Sequence, residues 1–178
     1  MAHNCNLSVK GIIGLALFSK MCDIVGKDGT YWHAKAEKFA TEWVKAADDG
    51  DHYRLAFDSE GTCSVKYNMV WDKIFDLGLF TAEVYTKELA YYKRKFNGYG
   101  IPTDNRSDYT KSDRQMWSTV LFDDKEYFDT VCKQMVAFLS ETPVRVPFTD
   151  WYFTSQPIHR GFQVRTVQGG LFINLLKF

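Results

Sequence analysis

The chain has 178 residues, 46% of them hydrophobic and 16% aromatic, a length that suits one domain and a composition that can fill a core. Its 22 basic residues are balanced by 22 acidic ones, which excludes the basic stripe of a dedicated nucleic-acid binder and the charge needed for electrostatic membrane attachment. The longest apolar run, Gly11 to Phe18, is bracketed by Lys10 and Lys20 and so is too short for a membrane span, and His3, Asn4 and Asn6 before it do not read as a signal peptide.

In chain order, seven helices are predicted. The first runs from about Leu7 to Val25, with Ile12, Ile13, Leu15, Phe18, Met21 and Ile24 around nearly its whole circumference; a helix apolar on all sides is expected to be buried on all sides. In the second, Trp32, Ala36, Phe39, Ala40, Trp43 and Ala47 keep helical spacing, while Lys35, Glu37, Lys38 and Glu42 face outward. A loop from Gly50 to Lys66 follows, in which His52–Phe57 alternates ahead of the turn signal Asp58–Gly61 and predicts a small hairpin. The third helix, Tyr67 to Leu77, carries Met69, Val70, Trp71, Ile74 and Phe75; the fourth, with Thr81 as N-cap, sets Tyr85, Leu89, Tyr92 and Phe96 against Lys87, Lys93, Arg94 and Lys95. After the loop Gly98–Lys111 comes the fifth helix, Ser112 to Phe122, with Met116, Trp117, Val120 and Leu121. Asp123 with Glu126 fits a capping box opening the sixth, whose stripe is Phe128, Val131, Met135, Val136 and Leu139. The loop Thr142–Arg165 holds a second candidate hairpin, Arg145–Phe153 and His159–Val164 around Pro157. The last helix, Thr166 to Leu176, carries Leu171, Phe172, Ile173, Leu175 and Leu176 and reads as buried.

Strongly apolar and amphipathic helices therefore take turns. That alternation predicts an all-α fold of α/α helical hairpins in two layers, a solenoid or a closed toroid, with short β-hairpins in the long loops. The connections alternate as well: Gly26–Gly29, Gly78–Phe80 and Phe122–Asp123 are short, whereas Gly50–Lys66, Gly98–Lys111 and Thr142–Arg165 are long. Antiparallel neighbours put all the long loops at one end, where they open onto the positive N-terminal ends of the inner helices.

Four polar clusters lie at those ends. They are His3, Asn4 and Asn6; Lys66, Tyr67 and Asn68 with Trp71 and Asp72 one turn on; Asp104, Arg106, Tyr109, Lys111 and Asp113; and Asp150, Trp151, Gln163 and Arg165. Charged and hydrogen-bonding groups with aromatics on a concave face are the make-up of a small-ligand pocket. Asp72, Asp104, Asp113 and Asp150 are the candidates for acid–base work, because burial and cationic neighbours can separate carboxylate pKa values. Lys66, Asn68, Trp71, Arg106, Lys111, Trp151 and Arg165 are the candidates for holding substrate. The plainer alternative for any one of them is an ion pair or cap that fixes a loop. Cys5, Cys22, Cys63 and Cys132 are scattered without a CxxC pair, and the four histidines lack ligand spacing, so no metal and no cofactor are expected. Cys5 near His3 is a weak case for a nucleophile; Gly98–Gly100 lacks the strand context of a phosphate loop; and Gly169–Gly170 suits close helix packing.

The loop residues resemble a known family. Lys66-Tyr67-Asn68-Met69-Val70-Trp71-Asp72-Lys73, Tyr109-Thr110-Lys111-Ser112-Asp113, Arg145 to Tyr152 and Gly161 to Phe172 are similar to the C-terminal helical-hairpin domain of the glutaminase A family, and Asn4 to Gly14 looks like the start of that region. The resemblance runs over essentially the whole chain. It implies part of a six-hairpin α/α toroid, and hydrolysis of the side-chain amide of L-glutamine to glutamate and ammonia by a secreted or periplasmic protein. It directs attention to Lys66, Asn68, Asp72, Asp104, Lys111, Asp113, Asp150 and Arg165: an Arg or Lys to hold the substrate α-carboxylate, one Asp for its α-ammonium and another to activate water. Residues 1–178 supply about three and a half hairpins, so the chain is expected to be the C-terminal part of a larger toroid, with its exposed edges completed by a preceding region or by self-association. Two other readings stay open: a glycoside-processing toroid in which Trp and Tyr stack sugars between two carboxylates, and a non-catalytic helical-repeat binding module with a smooth concave surface.

Overall fold

The computed structural model describes residues 2–176. Helix α1 (Cys5–Ile24) opens on Asn4, whose side chain accepts from the Leu7 amide at 2.8 Å. Helix α2 (Thr30–Ala47) returns along it, burying Ala36, Ala40, Trp43 and Ala47 at spacings of one helical turn. The turn between them depends on Gly29, where an added Cβ would lie 2.5 Å from the Ser19 carbonyl oxygen. A 3-10 helix (Tyr67–Met69) runs into the short α3 (Val70–Ile74), followed by α4 (Ala82–Lys93). Strand β1 (Tyr109–Lys111) leads directly into α5 (Ser112–Val120), and α6 (Lys125–Glu141) precedes β2 (Thr149–Phe153), β3 (His159–Gln163) and a C-terminal 3-10 helix (Thr166–Leu176).

The layers are those predicted, and the fold is all-α. Helix α1, the Tyr67–Ile74 segment, α5 and the C-terminal 3-10 helix lie side by side in that order. Helix α2 covers α1 and α6 covers α5, while α4 is joined to the inner row through Tyr85 and to α6 through Tyr92 and Tyr127. One continuous core links them, running from Cys5 and Val9 through Trp43, Met69, Val84 and Tyr92 to Val131 and Ile173. The three strands form an antiparallel sheet in the order β1-β2-β3, with Lys111 opposite Trp151.

Several local expectations are corrected. Helix α1 is not buried all round: Val9, Ile12, Ile13 and Ala16 are, but Leu7, Met21 and Ile24 are exposed, and Phe18 is covered only in part, edge-on by Trp32 of α2 at 5.3 Å. The third helix stops at Ile74 rather than Leu77, leaving Phe75 exposed, and the fifth stops at Val120 rather than Phe122. The last segment is a 3-10 helix with only Ile173 buried; Gly169 and Gly170 weaken α-helix formation there. The cap of α6 is Asp124 rather than Asp123, accepting from the Tyr127 amide at 2.7 Å. Thr81 occupies the N-cap of α4 without a side-chain hydrogen bond. The hairpin expected at His52–Phe57 is reduced to isolated bridges, since Arg54 closes the loop instead by donating to Asp49 and to the Phe57 carbonyl. The second hairpin forms as β2 and β3, and β1 joins it as a third strand.

Candidate functional site

Two polar assemblies lie side by side where the inner helices begin. The first is a pocket of about 100 Å³ bounded by Asn4 and Asn6 from the start of α1, Tyr67 from the start of the third segment, and Arg114 from the first turn of α5. Ser64, Thr103, Asp104 and Arg106 complete its wall. Asn6 and Asn68 fix two of these starts to each other: the Asn68 amide nitrogen Nδ2 donates to the Asn6 carbonyl at 3.0 Å, and the Asn68 backbone N–H donates to Asn6 Oδ1 at 3.3 Å. Asp104 grips Arg106 through both carboxylate oxygens, at 2.8 and 2.7 Å, and accepts its backbone N–H as well. The Arg114 guanidinium lies 4.6 Å from the centre of the Tyr67 ring, and no carboxylate among the described residues pairs with it. Ser64 Oγ and Thr103 Oγ1 are buried without a hydrogen-bond partner, and a folded protein rarely leaves such groups unless water or a ligand meets them.

The second assembly is a carboxylate centre. Asp150 is fully buried on β2, with Oδ2 2.8 Å from Lys111 Nζ and 3.6 Å from an Arg165 guanidinium nitrogen, while Oδ1 has no partner. The antiparallel register of β1 and β2 is what brings Lys111 to it. Asp113 sits in the first turn of α5, and burial raises its carboxyl above the ordinary 3.8 against the lowering effect of Arg114 and Lys111, with Asp150 adding to the rise. Its Oδ1 is likewise unpartnered, as is Trp117 Nε1 one turn further on. The C-terminal 3-10 helix closes over these groups. A Cβ on Gly170 would stand 2.8 Å from both Asp113 Cβ and Trp117 Nε1, so only glycine lets the backbone approach this closely. Trp151 stacks on Phe162 at 4.9 Å and meets Tyr109 edge-on at 5.1 Å, with the Arg160 guanidinium 5.0 Å from its centre. Lys111 Nζ and the Arg165 guanidinium both lie 4.4 Å from the centre of the Phe162 ring. The aromatics thus position the two cations that face Asp150.

Asp104, Arg106, Asn68, Lys111, Asp113, Asp150, Trp151 and Arg165 therefore come together on the long-loop face. Lys66, Asp72 and Trp71 do not present free groups there. Lys66 is wholly buried, donating to the Tyr53 and Ser64 carbonyls at 2.7 and 2.8 Å with Glu88 3.8 Å away; burial lowers its ammonium pKa and Glu88 opposes that. Asp72 accepts from the Leu79 and Phe80 amides and, at 2.5 Å, from the Tyr85 hydroxyl, binding the short turn before α4. Trp71 packs edge-on against Trp117 at 5.1 Å and stacks on Phe75. Among residues the sequence reading passed over, Arg114 and Trp117 flank Asp113 on one helix and could have been found by extending the cluster a turn, but Ser64 and Thr103 carry no sequence signal.

A cysteine–histidine pair is not assembled at the N-terminus. Cys5 is buried, which pushes its thiol up to about 11, and His3 bonds Asp58 at 2.7 Å. All four cysteines are free, no group of three metal-ligating side chains occurs among the described residues, and no described helix is long and apolar enough to cross a membrane.

Comparison with known proteins agrees with this architecture. Residues 1–175 match the model of the glutaminase A six helical-hairpin domain. The chain is 28% identical over 185 residues to glutaminase A of Aspergillus oryzae, an alignment covering 99% of this chain and 27% of that protein. It is also 28% identical over 206 residues to a protein of Arthroderma benhamiae named probable glutaminase, covering 97% of this chain and 24% of the relative. The chain thus spans about a quarter of the length of these curated relatives. With its inner row of helices, its long-loop face and a match over nearly its full length, the chain belongs to the glutaminase A six helical-hairpin family.

Proposed function

We propose that this face is part of a glutaminase-type amidohydrolase site that converts L-glutamine to L-glutamate and ammonia. The observation that carries the reading is the pair Asp113 and Asp150, each with an unpartnered buried oxygen, beside a polar pocket holding the unpaired cation Arg114. The names of the two fungal relatives support glutamine as the substrate in this reading.

In this reading Arg114 holds the α-carboxylate of the amino acid, and the Asn4, Asn6, Ser64 and Thr103 side chains complete the polar cradle for its head group. Asp113 is the general base. Its raised pKa makes its carboxylate a better proton acceptor than an ordinary exposed one. It takes a proton from water as the oxygen adds to the side-chain amide carbon. The carbon–nitrogen bond then breaks, and the proton passes to the leaving ammonia. Asp150 holds Lys111 and Arg165 against the centre. The test is ammonia release from L-glutamine by a full-length relative and by this chain. Release by neither removes the reading, and release by the relative alone places the remaining catalytic groups outside these residues.

The ring of Trp151 is already in contact with Phe162, Tyr109 and Arg160. No observation at the site favours a sugar-stacking platform over the amino-acid pocket.

A further inference from the structure

A second cavity, of about 250 Å³, lies behind the polar pocket and shares its Ser64, Val65 and Asp104 wall. The isolated bridge between Ser64 and Asp104 is the partition between the two. This cavity is more apolar than its neighbour. Phe96, Ile101, Pro102, Tyr91 and Cys63 are among the residues that line it. The Tyr91 phenol lies beside Cys63, and burial pushes its pKa up. At the mouth stand two cations of different status. Arg94 is held by Asp51 at 2.7 Å, whereas Lys95 lies over the Tyr91 ring at 4.7 Å with no carboxylate partner among the described residues.

From these features we infer that the cavity is a binding site for a small monocarboxylate with a single-ring or branched apolar body, its acid group on Lys95 and its body against Phe96, Ile101 and Pro102. The volume is just under the range of drug-sized pockets, which sets the ligand at about one ring with a short acid arm. An apolar chamber with one free cation at its rim selects for a carboxylate and against its neutral amide, because only the charged form gains a charge-assisted bond there. The shared Ser64–Asp104 partition makes the cavity a place from which occupancy can act on the polar pocket. The inference does not depend on what that pocket hydrolyses.

Cys63 reports on occupancy. The probe is phenylacetate, with phenylacetamide as its uncharged counterpart, and the readout is the rate of iodoacetamide alkylation at Cys63 by mass spectrometry, with Cys22 and Cys132 as internal references. Phenylacetate is expected to slow Cys63 labelling saturably while leaving Cys22 and Cys132 unchanged, with phenylacetamide about fivefold weaker. Lys95→Gln, a change at an exposed position, is expected to abolish that preference while some protection by either compound persists. The absence of saturable protection, equal protection by acid and amide, or an unaltered preference in Lys95→Gln overturns the assignment. All of these outcomes are read without measuring glutamine hydrolysis, so the two proposals fail separately.

Discussion

At the scale of single residues, charge and burial separate structural groups from chemical ones. Lys66 is the clearest structural case: both of its close partners are backbone carbonyls, and Glu88 completes the enclosure by accepting the Tyr53 amide at 2.8 Å. Removing the cation strands a buried carboxylate, so Lys66→Met is expected to cost about 3–5 kcal/mol in chemical denaturation. Adding Glu88→Gln should recover a large part of that loss, and a double variant no more stable than the single one would refute the pairing. Asp113 behaves in the opposite sense. Its folded pKa is raised above 3.8, so the folded state favours the protonated form. The group's contribution to stability is complete below about pH 3.8 and is lost as pH rises through the higher folded value. At neutral pH the ionised side chain is therefore a burden on the fold. Asp113→Asn should raise Tm by about 2 °C at pH 7, with the gain vanishing at acid pH. It should also lower glutamine turnover at least ~100-fold. A Tm that is lower at pH 7 and equal at pH 4 would place the carboxylate in a supporting role.

At the scale of elements, the sequence pattern carried the layers further than the ends. The alternation of apolar and amphipathic stretches was legible because 3.6-residue spacing survives in α2, where Ala36, Ala40, Trp43 and Ala47 are buried as read, and in α6, where Val131 and Met135 are buried but Val136 is 61% exposed and Phe138 takes the inner place instead. The long-loop face followed from connection lengths, and with it Asp113, Asp150, Lys111 and Arg165. What was not legible depended on contacts distant in sequence. Nothing around Lys66 shows that Tyr53 and Ser64 will enclose it, and nothing around Asp72 shows that Tyr85 will claim it. The cap of α6 moved by one residue because Asp124 is also tied to Lys93 at 2.8 Å. The C-terminal 3-10 helix could not be told from an α-helix by apolar content, since its hold on α5 rests on Gly170 and on Asn174 donating to Thr119 at 2.9 Å. Gly170→Ala should therefore undock this element alone, at a local cost of about 1–3 kcal/mol. Amide exchange across residues 166–176 should accelerate while α1 and α2 keep their protection. Unchanged exchange there would mean that the close approach to Asp113 and Trp117 does not hold the segment down.

At the scale of the whole molecule, the inner row ends in apolar surface on both sides. At one end Met21, Ile24 and Val25 of the α1 edge are 61%, 83% and 69% exposed; at the other, Phe172 and Leu175 of the C-terminal 3-10 helix are 65% and 73% exposed. Single exposed hydrophobics need no explanation, but groups of them on one face mark a surface that another surface covers. In the relatives, about three quarters of the protein lies outside the aligned region, and that region is one candidate cover. For the isolated chain the available cover is a second copy. Light scattering coupled to size exclusion should accordingly give a mass that rises with concentration. Because two different patches are involved, the contact is heterologous and has the geometry of a ring or an open chain rather than of an isologous pair. Because each contact joins one patch of each kind, Ile24→Glu alone or Leu175→Glu alone, neither of which touches the core, should return the mass to that of the monomer. A monomeric mass for the unmodified chain at all concentrations would show that these faces are tolerated in water, and that the long-loop site stands without a second row of helices opposite it.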